Sequence, residues 1–219
     1  MKLSRTELIK FYDERVNYEG SGSDVASITA LLGEDLLFGL FKHYWENTEK
    51  GIFEIISHTC TMGKKTGPRL DGWLRCETDK EKILYQTEIK NWSAYSFGEK
   101  QLLLNASEDE IEKYRKEQWE FYFGDNVRLH ERVEKVLKFM KRPEKFENDI
   151  NYKQIPLCCF WFYIANKAGT AFSRHCDSNG KIIHVFSASA YLRGLKEDVI
   201  DISMERFERR LGLIQKLRK

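Results

Sequence analysis

Residues 82–92 read KILYQTEIKNW, and this stretch decides how the rest of the chain is understood. It is rich in β-branched and aromatic residues and follows a polar ETDKE turn, so it reads as a strand. Side chains two apart in a strand share a face. Gln86, Glu88, Lys90 and Trp92 therefore project together, while Ile89 points to the core on the other side. A carboxylate and an ammonium on so apolar a strand need a reason, because buried charge is costly unless paired or bound to a metal.

Working towards the N-terminus, residues 69–77 (RLDGWLRCE) follow a GKKTGP turn and read as a second strand. Residues 51–58 (GIFEIISH) read as a first. Connections this short suit an antiparallel meander. Before them, Ser23 or Asp24 can cap a helix running to about Trp45, with Val25, Ile28, Leu31, Leu32, Leu36, Leu37, Leu40, Phe41 and Tyr44 at helical spacing.

Towards the C-terminus, 93–104 reads as a weak helix. Ser107 and Glu110 form a capping box before EIEKYRKEQWEFYF. A further amphipathic helix is expected over 126–141, stopped before Pro143. Residues 156–165 (PLCCFWFYIA) are a continuous apolar run, as in a strand buried on both faces. Residues 181–187 read as one more strand, and Asp201 or Ser203 caps a last helix through about Leu217. The expectation is an α/β domain with a central mixed β-sheet flanked by helices.

The length, 219 residues, and the absence of any Pro/Gly/Ser-rich linker fit a single domain over 1–219, with its core over about 24–190. Net charge is only +2, which by itself identifies no partner. Locally, residues 204–219 hold six basic and two acidic residues, and Ser107 to Glu120 is acidic. The charged start of the chain and the lack of a long apolar run predict no secretory signal and no membrane span. Five cysteines without a CxxC pair predict a reduced, cytoplasmic protein.

Asp71, in PRLDGW, lies on the strand before Glu88 and Lys90. If the two strands form a hairpin, Asp71 comes to lie near Glu88. Two facing carboxylates repel, and a divalent cation relieves the repulsion. Hard oxygen ligands favour Mg²⁺, which takes one or two carboxylates and keeps water for the rest of its shell. The alternative is an ordinary polar pair on the wet face of an antiparallel sheet, with Asp71 as a cross-strand partner for Lys90.

The pattern resembles the PD-(D/E)xK nuclease superfamily. That family has an acidic residue on the second strand and (D/E)-x-K on the third, within an αβββαβ restriction endonuclease-like core. About three chance (D/E)-x-K matches are expected in a chain this charged. There is one, Glu88-Ile89-Lys90, and its placement on the third strand gives it weight. The proline is at Pro68 rather than adjacent to Asp71, a departure the family tolerates.

The resemblance implies a metal-dependent nuclease hydrolysing phosphodiester bonds. Asp71, Glu88 and the backbone carbonyl of Ile89 would hold Mg²⁺, with Mn²⁺ as substitute. Lys90 would be the catalytic base or water-positioning group. Glu34, in LLGEDLL on the first helix, would complete the catalytic set, and it shares a helical face with Leu37, Phe38 and Phe41. The implied substrate is DNA rather than RNA, and the implied assembly is a homodimer. The rival is a non-catalytic nucleic-acid-binding protein retaining the fold.

Lys64, Lys65 and Arg69 are expected near phosphate. Trp73, on the strand face counted for Asp71, is the expected substrate-facing aromatic, with Ser93 beside the motif strand. The basic helix over about 203–217 is a further candidate for backbone contact. His58, Cys60, His175, Cys176 and Asp177 fit no standard zinc spacing.

Overall fold

The computed structural model describes residues 1–13, 22–57, 60–61, 69–90, 102–124, 136, 138, 140–176 and 180–217. Chain order begins with β1 (Lys2–Ser4), α1 (Arg5–Asp13) and α2 (Gly22–Tyr44), which ends in a π-helical turn, Trp45–Glu49. Next come β2 (Ile52–Ser57), β3 (Cys60–Thr61), β4 (Arg69–Leu70), β5 (Gly72–Glu77) and β6 (Lys82–Lys90). After α3 (Glu108–Phe123) follow β7 (Lys153–Phe160), β8 (Phe172–Cys176), β9 (Ile182–Ser187), α4 (Ala188–Gly194), β10 (Val199–Asp201) and α5 (Glu205–Leu217).

The central sheet runs β2-β5-β6-β7-β9-β8. β2, β5 and β6 form the antiparallel meander. β7 pairs parallel with β6 and with β9, and β8 closes the far edge antiparallel to β9. The architecture is α/β, a central mixed sheet flanked by helices.

Each face of the sheet has its own core. On one, Leu74, Ile83, Tyr85, Ile89, Leu157, Cys159 and Phe186 pack against Leu36, Leu37, Leu40 and Phe41 of α2 and against Tyr191 and Leu192 of α4. On the other, Trp73, Leu84, Cys158, Phe160, Ile183 and Val185 meet Tyr114, Tyr122 and Phe123 of α3 with Val136, Met140 and Phe146. β6 alternates between the two cores, and each of its residues from Ile83 to Lys90 is buried.

α3 begins at the capping box expected for it: Ser107 Oγ accepts from the Glu110 amide, and Glu110 Oε2 accepts from the Ser107 amide. β7 contains Pro156, which has no amide to donate. Alternation aims that missing donor towards β9, and the ladder to β9 starts only at Leu157, so nothing is lost.

Some expectations need correction. The run 69–77 is broken at Asp71 into β4 and β5. The apolar run 156–165 is strand only to Phe160, because Trp161 to Ala165 leave the sheet while staying buried. Asp201 does not cap the last helix; it lies in β10, where its carboxylate accepts from the N-terminal ammonium at 2.9 Å. Leu102 to Leu104 are not helical, nor are Val136, Lys138 and Met140 part of a regular α-helix; the remainder of 93–104 and of 126–139 lies outside the described residues. No helix among the described residues is long and apolar enough to cross a membrane.

Candidate active site

β6 places Glu88 and Lys90 on the face of the second core, in line with Gln86, as the alternation of the strand requires. The Lys90 ammonium donates to Glu88 Oε1. Only 3% of the Glu88 side chain and 7% of the Lys90 side chain are exposed. This is no wet sheet face, so the alternative of an ordinary solvated pair is overturned by burial.

Asp71 reaches β6 by a different route. The β5–β6 ladder ends at Gly72 opposite Thr87. Just beyond it, the Asp71 amide donates to the Thr87 carbonyl at 3.0 Å. Its Oδ2 accepts the Ile89 amide at 2.6 Å, taking the donor that the ended ladder leaves. Asp71 therefore meets the motif strand at its middle residue, between Glu88 and Lys90, and does not salt-bridge Lys90 directly as the solvated alternative required. In a strand, the amide and carbonyl of one residue project to the same edge, so the Ile89 carbonyl shares the edge that Asp71 occupies.

Burial lifts the Asp71 carboxyl to about 7, and the nearby charge of Glu88 adds to it. The charge of Glu34 also raises it, while the Ile89 amide and Lys90 act the other way. Asp71 thus feels both other acids of the expected set.

Glu34 itself is half-exposed rather than turned into the core. Its Oε2 accepts from Arg206 of α5 at 3.3 Å. The buried carboxylate of this turn is its neighbour Asp35, which stands 3.6 Å from Arg206 Nε and 4.0 Å from Arg210. Two of the basic residues expected to grip phosphate are therefore engaged with acids of α2.

Gln86 carries a role the sequence did not reveal. Its Nε2 donates to the carbonyls of Val136 and Lys138, and its Oε1 accepts from the Met140 amide and from Gln154 Nε2. A buried amide bonded at both ends ties Val136, Lys138 and Met140 to the sheet beside Glu88. A glutamine in line with the motif on an otherwise apolar strand was the available signal.

Trp73 is not exposed at the surface. It is buried in the second core, opposite Gln86 in the ladder. Counting by twos from Asp71 fails because the strand breaks there: Leu70 and Trp73, three apart, both join the same core. Lys64, Lys65 and Ser93 lie outside the described residues. So does the side chain of Arg69, whose backbone pairs in β4.

The donor set fits a hard cation. It offers the carboxylates of Asp71 and Glu88 and the backbone carbonyl of Ile89, and the charge of Glu88 felt at Asp71 is a repulsion that a cation would relieve. Among the described residues no three His, Cys, Asp or Glu side chains are already gathered as ligands. Mg²⁺ is the ion that accepts so few protein ligands. His175 instead contacts the rings of Trp119 and Phe123. No family model, no curated protein and no solved structure matches the chain.

Proposed function

We propose that this protein is a Mg²⁺-dependent nuclease of restriction endonuclease-like fold, hydrolysing phosphodiester bonds in DNA. The observation that carries the reading is the convergence of Asp71 on the Glu88-Ile89-Lys90 strand through the 2.6 Å bond to the Ile89 amide. The succession α2, β2, β5, β6, α3, β7 also follows the αβββαβ order. The site lies at the carboxyl ends of the parallel strands β6 and β7, where open α/β sheets place their ligands.

In this reading Asp71, Glu88 and the Ile89 carbonyl would hold the ion, and Glu34 would complete the set. When bound, Mg²⁺ supplies a water of lowered pKa and neutralises charge on the phosphate. Lys90 would orient the attacking water and stabilise charge developing on the phosphate oxygens. The attacking water oxygen would form a bond to phosphorus as the bond to one sugar oxygen breaks, the proton that the water gives up passing to solvent and the leaving sugar oxygen taking one from solvent. Glu88 holds the Lys90 ammonium in place for this task. DNA over RNA, Mn²⁺ as a substitute and a homodimer follow from the resemblance; the free thiols of Cys76, Cys158, Cys159 and Cys176 suit a reducing cytoplasm.

The test is incubation with plasmid, single-stranded DNA and RNA in Mg²⁺ or Mn²⁺, beside Asp71→Asn and Lys90→Ala. Cleavage by wild type alone supports the reading. Equal degradation by wild type and both variants points to contamination and removes it.

One observation favours a second reading. Glu88 and Lys90 are closed on each other and buried, as in a structural ion pair. A non-catalytic nucleic-acid-binding protein would look like this. It would retain DNA in a salt-sensitive manner while binding Mn²⁺ no more tightly than Asp71→Ala does.

A further inference from the structure

We infer that Arg206 is a positioning residue for the proposed reaction: oriented by buried Asp35, it holds Glu34 at the edge of the site. The inference rests on the nuclease reading and adds to it a residue from α5, outside the αβββαβ core.

The three groups form a row. Arg206 Nε lies 3.6 Å from Asp35 Oδ1, and Nη1 of the same guanidinium donates to Glu34 Oε2 at 3.3 Å. The Asp35 side chain is 3% exposed, the Arg206 side chain 18% and the Glu34 side chain 44%. Order is thus passed outwards, from a fixed carboxylate through a planar fork to a group that would otherwise be free to rotate. An exposed ion pair alone contributes little. Here the arginine is preorganised by a buried anchor, so the entropy of fixing it is already spent when it meets Glu34.

Charge balance points the same way. Glu88 has Lys90 beside it, and Glu34 has Arg206. Each of these two acids therefore has a cation of its own. Partners that orient a metal ligand from behind typically change affinity or activity about 10–100-fold when removed.

The experiment compares the full-length wild type with Arg206→Gln, Arg206→Lys, Glu34→Gln, the Glu34→Gln/Arg206→Gln double and Asp71→Asn. Cleavage rate is measured across a Mn²⁺ titration, with a thermal melt of each protein. Arg206→Gln is expected to raise the Mn²⁺ concentration for half-maximal rate about tenfold. Arg206→Lys should recover part of this, and the double variant should be no worse than Glu34→Gln alone. A role confined to stapling α5 onto α2 would lower the melting temperature and leave the Mn²⁺ dependence unmoved, which overturns the inference. Losses that add in the double variant overturn it as well. Should Arg206→Gln fail to fold, Arg206→Lys and Glu34→Gln carry the comparison, and a wild-type Mn²⁺ dependence in both sinks it. An active Asp71→Asn instead removes the nuclease reading, and this inference falls with it.

Discussion

At the scale of single residues, the site is a place where stability is given up. The Asp71 carboxyl sits at about 7 in the folded chain, against about 3.9 for an unstructured aspartate. A carboxyl raised on folding stabilises the native state least at high pH. The cost is absent below the unfolded value, grows as pH rises and is complete above about 7. Asp71→Asn keeps an oxygen to accept the Ile89 amide and removes the charge. In metal-free buffer it should therefore melt higher than wild type at pH 8, by an amount on the order of a few kcal/mol, and the gain should fade towards pH 4. Added Mg²⁺ should stabilise wild type at pH 8 and leave Asp71→Asn unmoved; melts across pH, with and without Mg²⁺, check both. The neighbouring pair behaves oppositely. Lys90→Met leaves the buried Glu88 carboxylate without its ammonium, at a cost of about 3–5 kcal/mol. Glu88→Gln with Lys90→Met should recover most of that in urea denaturation, though not activity. An inactive Lys90 variant is informative about chemistry only beside its melt.

At the scale of elements, β6 is where local and long-range demands agree. Its residues alternate between two cores, and Gln86 spends its whole amide on Val136, Lys138, Met140 and Gln154. Gln86→Leu would strand buried backbone donors and acceptors, each worth about 1–3 kcal/mol. The expected result is a loss of at least about 2 kcal/mol in urea, and a variant as stable as wild type would show that water replaces the amide at no cost. β2, β5, β6, α3 and β9 were legible because each announces itself within a few residues, by alternation, a capping box or a turn. β1 and β10 were not, because they exist only by pairing residues 2–4 with 199–201, a contact no local pattern records. The error at Trp73 has a similar origin: the parity of a strand is readable only while the strand is unbroken, and Asp71, the residue of most interest, is itself the break. Glu88 and Lys90 were legible as a pair. That they would be sealed together, and that Asp71 would meet the amide between them, depended on where the β5–β6 ladder ends.

At the scale of the whole molecule, the proposed site would draw on layers far apart in sequence: α2 on one face of the sheet, the α3 side on the other, and α5 laid against α2. What seats α5 is a close approach of backbone. A Cβ placed on Gly39 of α2 would lie 2.8 Å from the Ser203 carbonyl oxygen and 3.5 Å from Ile202 Cδ1. Gly39→Ala therefore sets two effects against each other. Helix propensity favours alanine by about 1 kcal/mol. The contact with a backbone oxygen, which cannot swing aside as a side chain would, must move residues 202–203, and Arg206 follows them closely in the chain. The clash is expected to win, because 2.8 Å is closer than real Cβ contacts come and the chain it meets is buried on both sides, at Ile202 and Met204. Gly39→Ala should melt about 1–2 kcal/mol less stable and show a weakened Mn²⁺ response like that of Arg206→Gln, although it alters no charge. A Gly39→Ala protein that is more stable and cleaves with the wild-type Mn²⁺ dependence would mean that α5 can shift without disturbing Glu34. The layers would then be coupled by packing alone.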